Sequence, residues 1–80
     1  MSWKDKIAGA FGVADKKFAG HANDSERAAE LLEAANKENV GYADYLKGIE
    51  DWLKSQGCNQ QHIDQEMAKV RDVSSYLKYD

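Results

Sequence analysis

Cys58 and His62 form the pair of side chains in this sequence that comes closest to catalytic or metal-binding chemistry. Because the two residues are four positions apart, a helix would place both on the same side of one turn. A structural zinc site needs four ligands, and His21 is the only other histidine or cysteine in the chain. A nucleophilic cysteine would need a base and a third group that orients the base, and the neighbouring sequence offers neither a pocket nor an oxyanion donor. We therefore predict no enzyme activity, no metal site and no cofactor.

Glu26, Glu30 and Glu33 are a second group with a helical spacing, and they would lie on one helix face. Carboxylates hold iron in helical bundles together with Glu-x-x-His pairs, and this sequence contains no such pair. It also lacks the calcium-binding loop pattern and a glycine-rich phosphate loop. The three glutamates are therefore predicted to form a solvated acidic face, with Glu33 and Lys37 as an i, i+4 ion pair.

The charges of the chain are unevenly distributed, although the net charge is only −3. Residues 1–22 carry four lysines and two aspartates, whereas residues 23–53 carry eight acids and three basic residues. Residues 54–80 carry four charges of each sign. A basic end on an acidic body permits internal pairing, head-to-tail association or attraction to an anionic surface, and the acidic central part permits binding to a basic partner. Nucleic-acid binding is disfavoured because it requires a dense basic face.

A single cysteine and the lack of long apolar runs determine the expected cell compartment. Cys58 has no second cysteine with which to form an internal disulfide, which favours a reducing compartment. No apolar run reaches ten residues, so neither a transmembrane span nor a signal peptide is predicted. We expect a cytoplasmic protein.

The spacing of the apolar residues predicts an all-α fold, because they recur at three- and four-residue steps and no proline interrupts them. The predicted fold is a small up-down bundle of four helices in a single domain, 1–80. The helices are expected at about 2–19, 24–38, 42–56 and 60–78, and short connections favour antiparallel neighbours. The alternative is a three-helix core from residues 24–78, with a first helix that is detached or swapped onto a second copy.

The first predicted helix carries an aromatic stripe but is intrinsically weak. Gly9 and Gly12 lie inside it, and each costs about 1 kcal/mol relative to alanine. Ser2 would cap its start and Gly20 would end it. The helix is expected to form only when its stripe is covered by the core, by a second copy or by a lipid surface. The stripe consists of Trp3, Ile7, Phe11, Ala14 and Phe18.

The other three helices are predicted to bury one face each. The second begins with a capping box from Asn23 to Glu26 and ends at the turn near Asn39. The third is the central core helix, ended by Gly57, and Gly48 marks a close helix–helix crossing. The fourth is capped by Asn59. The three predicted inner faces are Ala28, Leu31, Leu32 and Ala35; Tyr42, Tyr45, Leu46, Ile49, Trp52 and Leu53; and Ile63, Met67, Val70, Val73 and Leu77.

Tyr76 and Tyr79 fall outside the apolar stripe of the fourth helix and are predicted to form a surface for a partner. The sequence favours a non-catalytic protein that binds another protein or a second copy of itself. One alternative is a peripheral membrane protein that makes weak contact with lipid through its amphipathic N-terminal helix. Another is an acidic inhibitor of a basic or nucleic-acid-binding partner. The candidate contact residues are Tyr76, Tyr79, Glu26, Glu30, Glu33, Trp3, Phe11 and Phe18.

Overall fold

The computed structural model describes residues 2–12, 17–18 and 25–77, and this part of the chain is mostly helical, with four α-helices. A 3-10 helix at Trp3–Lys6 leads into the four-residue helix α1. Two strands of two residues follow, β1 and β2, which pair in antiparallel fashion. Three longer helices form the rest of the described part of the chain. The elements after the 3-10 helix are α1 (Ile7–Ala10), β1 (Phe11–Gly12), β2 (Lys17–Phe18), α2 (Ser25–Lys37), α3 (Tyr42–Ser55) and α4 (Gln60–Leu77).

The N-terminal segment, which we define as residues 2–12 and 17–18, departs from the predicted single helix over 2–19. The prediction that Ser2 caps the start is confirmed, since its side chain accepts a hydrogen bond from the Lys4 amide. The helix ends at Ala10, because Phe11 is extended with φ −102° and ψ 142°. Phe11 then lies opposite Phe18 in the strand pair. Ala14 and Gly20 lie outside the described residues.

Two physical reasons explain why the prediction of one long helix was wrong. Glycine is a poor helix former, and the chain leaves the helix between Gly9 and Gly12. Residues seven positions apart lie on the same face of a helix, and residues directly opposite each other in an antiparallel pair also lie on one face. Burial of both Phe11 and Phe18 is therefore compatible with either conformation. Periodicity alone therefore identified which side chains are buried but not the backbone that carries them.

The N-terminal segment packs into the core in this structure and is not detached from it. Trp3, Ile7 and Phe11 are buried together with residues of the three longer helices. The indole of Trp3 lies directly over Gly48, where a Cβ atom would be only 2.7 Å from Trp3 Cη2. The close approach predicted at Gly48 is therefore real, but the neighbour is an indole ring rather than a second long helix.

Helices α2 and α3 end in the same way, with a residue in the left-handed region. Asn39 has φ 59° and Gly57 has φ 83°. In each case the amide one residue further on donates back to the end of the helix, from Val40 to the Ala35 carbonyl (3.0 Å) and from Cys58 to the Leu53 carbonyl (3.3 Å). This is the Schellman arrangement, which satisfies carbonyls that the helix itself leaves unpaired. The predicted ends of both helices are confirmed.

The predicted inner faces of the three longer helices agree with the observed burial for most of their residues, and Leu46, Trp52 and Val73 are half-buried against the core. The prediction was wrong for Tyr42, which is exposed because it is the first residue of α3, where its ring contacts that of Tyr45. All four predicted residues of α2 are buried, and so are Tyr45, Ile49 and Leu53 of α3. On α4, Ile63, Met67 and Val70 are buried. The side-chain oxygen of Asn59 accepts the His62 amide hydrogen at 2.8 Å, which confirms the predicted cap of this helix. The predicted cap at Asn23 and the side chain of Leu77 lie outside the described residues.

Candidate interaction surface

Trp3, Phe11 and Phe18, which the sequence suggested as contact residues, lie in the core. Their exposed fractions are 3%, 1% and 5%. The Phe11 ring lies 5.2 Å from the Phe18 ring and 5.3 Å from that of Trp52, and the Trp3 ring lies 5.5 Å from that of Tyr45, measured between centroids. In this conformation none of the three side chains is accessible to a partner or to lipid headgroups.

The acidic face of α2 is on the surface, as its spacing predicted. Glu30 and Glu33 are exposed. The predicted ion pair between Glu33 and Lys37 is present, with 3.2 Å between the carboxylate and the ammonium. Both side chains are mostly exposed, so water screens the pair and its contribution to stability is no more than about 0.5 kcal/mol. The side chain of Glu26, the third residue of this predicted face, lies outside the described part of the structure.

An open groove runs between the N-terminal segment and α3, and we call it the α3 groove. It has a volume of about 570 Å³, and Trp3, Val40 and Gly48 form part of its lining. Three carboxylates and two lysines complete its polar edge. Within the described part of the chain, neither Asp44 nor Asp51 is in an ion pair. The charged residues of the α3 groove are Glu38, Asp44, Asp51, Lys4 and Lys47.

A second groove, the α2 groove, runs between the N-terminal segment and α2. Its volume is about 410 Å³, and it is lined by charged residues of both signs together with Ala34. Lys6 is the contribution of the N-terminal segment to this groove. The two grooves share Glu38, so five carboxylates in all line the grooves that border the N-terminal segment. The charged residues of the α2 groove are Lys6, Glu30, Glu33, Lys37 and Glu38.

Tyr76 is exposed, as predicted from its position outside the apolar stripe of α4. Its exposed fraction is 73%, and among the described residues the only other exposed large hydrophobic side chain is Tyr42, at 37%. The Tyr42 ring stacks on that of Tyr45, with 6.1 Å between centroids. Tyr79 lies outside the described residues. The prediction of a tyrosine surface therefore depends on Tyr76 alone in this structure.

Glu66 is a buried residue whose role the sequence analysis missed. It is only 2% exposed, and its carboxylate accepts a hydrogen bond of 2.5 Å from the Phe18 amide. The Lys69 ammonium lies 3.3 Å from the same carboxyl group. The sequence contained a signal for this position, because Glu66 follows Ile63 by three residues and precedes Val70 by four. Its position on the apolar face could therefore be predicted from the spacing, but a charged side chain is ordinarily expected to face the solvent.

Cys58 and His62 are partly buried at the start of α4, and Cys58 is a free thiol. No group of three or more His, Cys, Asp or Glu side chains suited to holding a metal ion occurs among the residues that the structure describes. Across the same residues, no helix combines the length and the apolar character needed to cross a bilayer.

Comparison with protein-family models, curated proteins and solved structures found no match to this chain.

Proposed function

We propose that this protein acts by binding another protein, and that the acidic surface of α2 and α3 contacts a basic region of that partner. The α3 groove is the observation that supports the proposal most directly. It combines apolar surface from the half-buried Val40 with the carboxylates of Asp44 and Asp51, which are in no ion pair within the described residues. Such a surface offers a basic side chain both apolar contact and charge.

The wider charge distribution supports the same partner chemistry. Between Ala28 and Leu53 the chain has six acidic residues and two lysines, and five of the six acids are exposed. Carboxylates concentrated on one part of a surface attract a basic partner over distances of about 10 Å and raise the rate of encounter. An acidic inhibitor of a basic or nucleic-acid-binding protein is one form of this function. Nucleic acid itself remains an unfavourable ligand for this surface.

We propose an up-down arrangement for the long helices, which is supported by the short turns between α2 and α3 and between α3 and α4. A cytoplasmic location is supported by the free thiol of Cys58. Self-association or contact with a lipid surface through Trp3, Phe11 and Phe18 would require these side chains to leave the core. The acidic surface needs no such rearrangement.

A capture experiment with matched charge variants tests the proposal. Asp44→Asn/Asp51→Asn removes two carboxylates from the α3 groove, and Asp64→Asn/Asp72→Asn removes two exposed carboxylates from α4. Both variants change the net charge by the same amount. We expect proteins captured from a cell extract by the wild type to be retained by the α4 variant and lost from the groove variant. Equal capture by both variants would contradict the assignment of the surface.

A further inference from the structure

The N-terminal segment is tied to the long helices by two carboxylates, one near each end. Glu38, in the turn after α2, accepts a hydrogen bond from the backbone amide of Trp3. Glu66, on α4, accepts one from the backbone amide of Phe18. These bonds join residues 35 and 48 positions apart in the sequence, so each connects the segment to a distant part of the chain.

The N-terminal segment contains little regular structure of its own. Its elements are a 3-10 helix and an α-helix of four residues each, followed by two strands of two residues. Isolated helices shorter than about 12 residues are marginal in water, and so is a two-stranded hairpin. The segment therefore holds its conformation because it docks on α2, α3 and α4.

The charges along the edges of the segment also favour docking. Lys4 borders the α3 groove, which contains three carboxylates, and Lys6 borders the α2 groove, which contains two more and shares Glu38. Apart from its lysines, the segment presents apolar side chains to the long helices: Trp3 covers Gly48 and Tyr45, and Phe11 contacts Trp52. The N-terminal segment thus contacts the three long helices through apolar packing and charge, as a separate bound peptide would.

We infer that the N-terminal segment is a releasable cover over an apolar face of the three long helices, and that Glu66 sets how often it opens. Proteins open locally in units that are less stable than the whole fold, and a unit held by few bonds of its own is such a candidate. Opening uncovers the α3 residues beneath Trp3 and Phe11, including Tyr45 and Trp52. The hydrogen bond to Glu66 contributes most to holding the N-terminal segment in place, because the carboxylate is buried and water cannot replace it as the acceptor once it is removed.

Hydrogen exchange of the full chain, read by mass spectrometry, tests this inference. Glu66→Ala leaves the Phe18 amide without an acceptor, whereas Glu66→Gln keeps an acceptor oxygen at that position. Glu50→Ala is the matched control, since it also removes a glutamate paired with a lysine, but its side chain is partly exposed and lines neither groove. We expect Glu66→Ala to speed exchange in peptides from residues 2–18 by about tenfold or more, with the core amides of α2, α3 and α4 unchanged. Glu66→Gln should have a smaller effect and Glu50→Ala none.

Two results would overturn the inference. Equal acceleration in the long helices, or failure of both Glu66 variants to fold, would show that the N-terminal segment is inseparable from the fold. Unchanged exchange of residues 2–18 in Glu66→Ala would show that Glu66 does not hold the N-terminal segment in place. Acrylamide quenching gives an independent readout, because opening exposes Trp3 and Trp52 together. Quenching should rise in Glu66→Ala and rise further with added salt, which screens the attraction of Lys4 and Lys6 to the grooves.

Discussion

The carboxylate of Glu66 in α4 accepts a hydrogen bond from the backbone amide of Phe18, which links the last helix to the short strand pair near the N-terminus. A buried carboxylate is costly unless its oxygens are hydrogen-bonded, and here the Lys69 ammonium also contacts it. The bond fixes the position of Phe18, whose ring packs on that of Phe11. One charged residue on an apolar helix face thus connects two regions that are far apart in the sequence.

Gly48 should be intolerant of any side chain. In Gly48→Ala the new Cβ would lie 2.7 Å from the buried ring of Trp3, so either the indole or the helix must move. We expect the free energy of unfolding to fall by about 1–3 kcal/mol, measured by chemical denaturation. The matched control is Gly9→Ala, where nothing lies within 4 Å of the new Cβ atom. This change should leave stability unchanged or raise it by up to about 1 kcal/mol. Equal effects would show that Trp3 does not cover Gly48.

The two left-handed helix ends should respond oppositely to substitution. Gly57→Ala forces a Cβ into a backbone with φ 83° and should cost about 1 kcal/mol of stability. Asn39→Gly relieves the same constraint at φ 59° and should be neutral or slightly stabilising. Thermal melting of the two variants beside the wild type measures both. A Gly57→Ala protein that melts at the same temperature as the wild type would contradict the Schellman ending of α3.

Alanine substitutions of Tyr76 and Tyr45 should differ strongly in their effect on stability, because one side chain is on the surface and the other is in the core. Tyr76 is 73% exposed, so Tyr76→Ala should change the melting temperature by no more than a few degrees. Tyr45 is 1% exposed and contacts Trp3, so Tyr45→Ala should cost about 3–5 kcal/mol. Calorimetry distinguishes the two outcomes. A large loss of stability in Tyr76→Ala would show that this ring is part of the core and not available to a partner.

The surface ion pairs should contribute little to stability. Lys37 and Glu33 lie 3.2 Å apart, but about two thirds or more of each side chain is exposed. We expect Lys37→Met to change the free energy of unfolding by less than about 0.5 kcal/mol. Lys69→Met should lower the free energy of unfolding by more than Lys37→Met does, because the partner of Lys69, Glu66, is buried. Denaturation midpoints of the two variants test the difference, and equal midpoints would contradict it.

The sequence predicted the three long helices well because their apolar spacing, caps and terminal residues agree with one another. The inner face of α2, the cap at Asn59 and the end at Gly57 were all readable from local rules. The N-terminal segment was not, since the spacing of Phe11 and Phe18 fits both a helix and a strand pair. Glu66 was missed for a different reason: its spacing places it on the apolar face of α4, but the backbone amide that donates a hydrogen bond to its buried carboxylate lies 48 residues away in the sequence. Long-range hydrogen bonds leave no local pattern.

The arrangement of the N-terminal segment underlies both grooves and both carboxylate contacts, so its backbone is the most direct test of the account. Nuclear Overhauser effects between Phe11 and Phe18 in the intact protein provide that test. With these residues opposite each other and 5.2 Å between ring centroids, we predict strong cross-strand effects between their backbone and ring protons. Their absence, together with helical effects continuing from Ala10 to Phe18, would contradict the account, because two residues seven positions apart on a helix are about 10 Å apart along its axis.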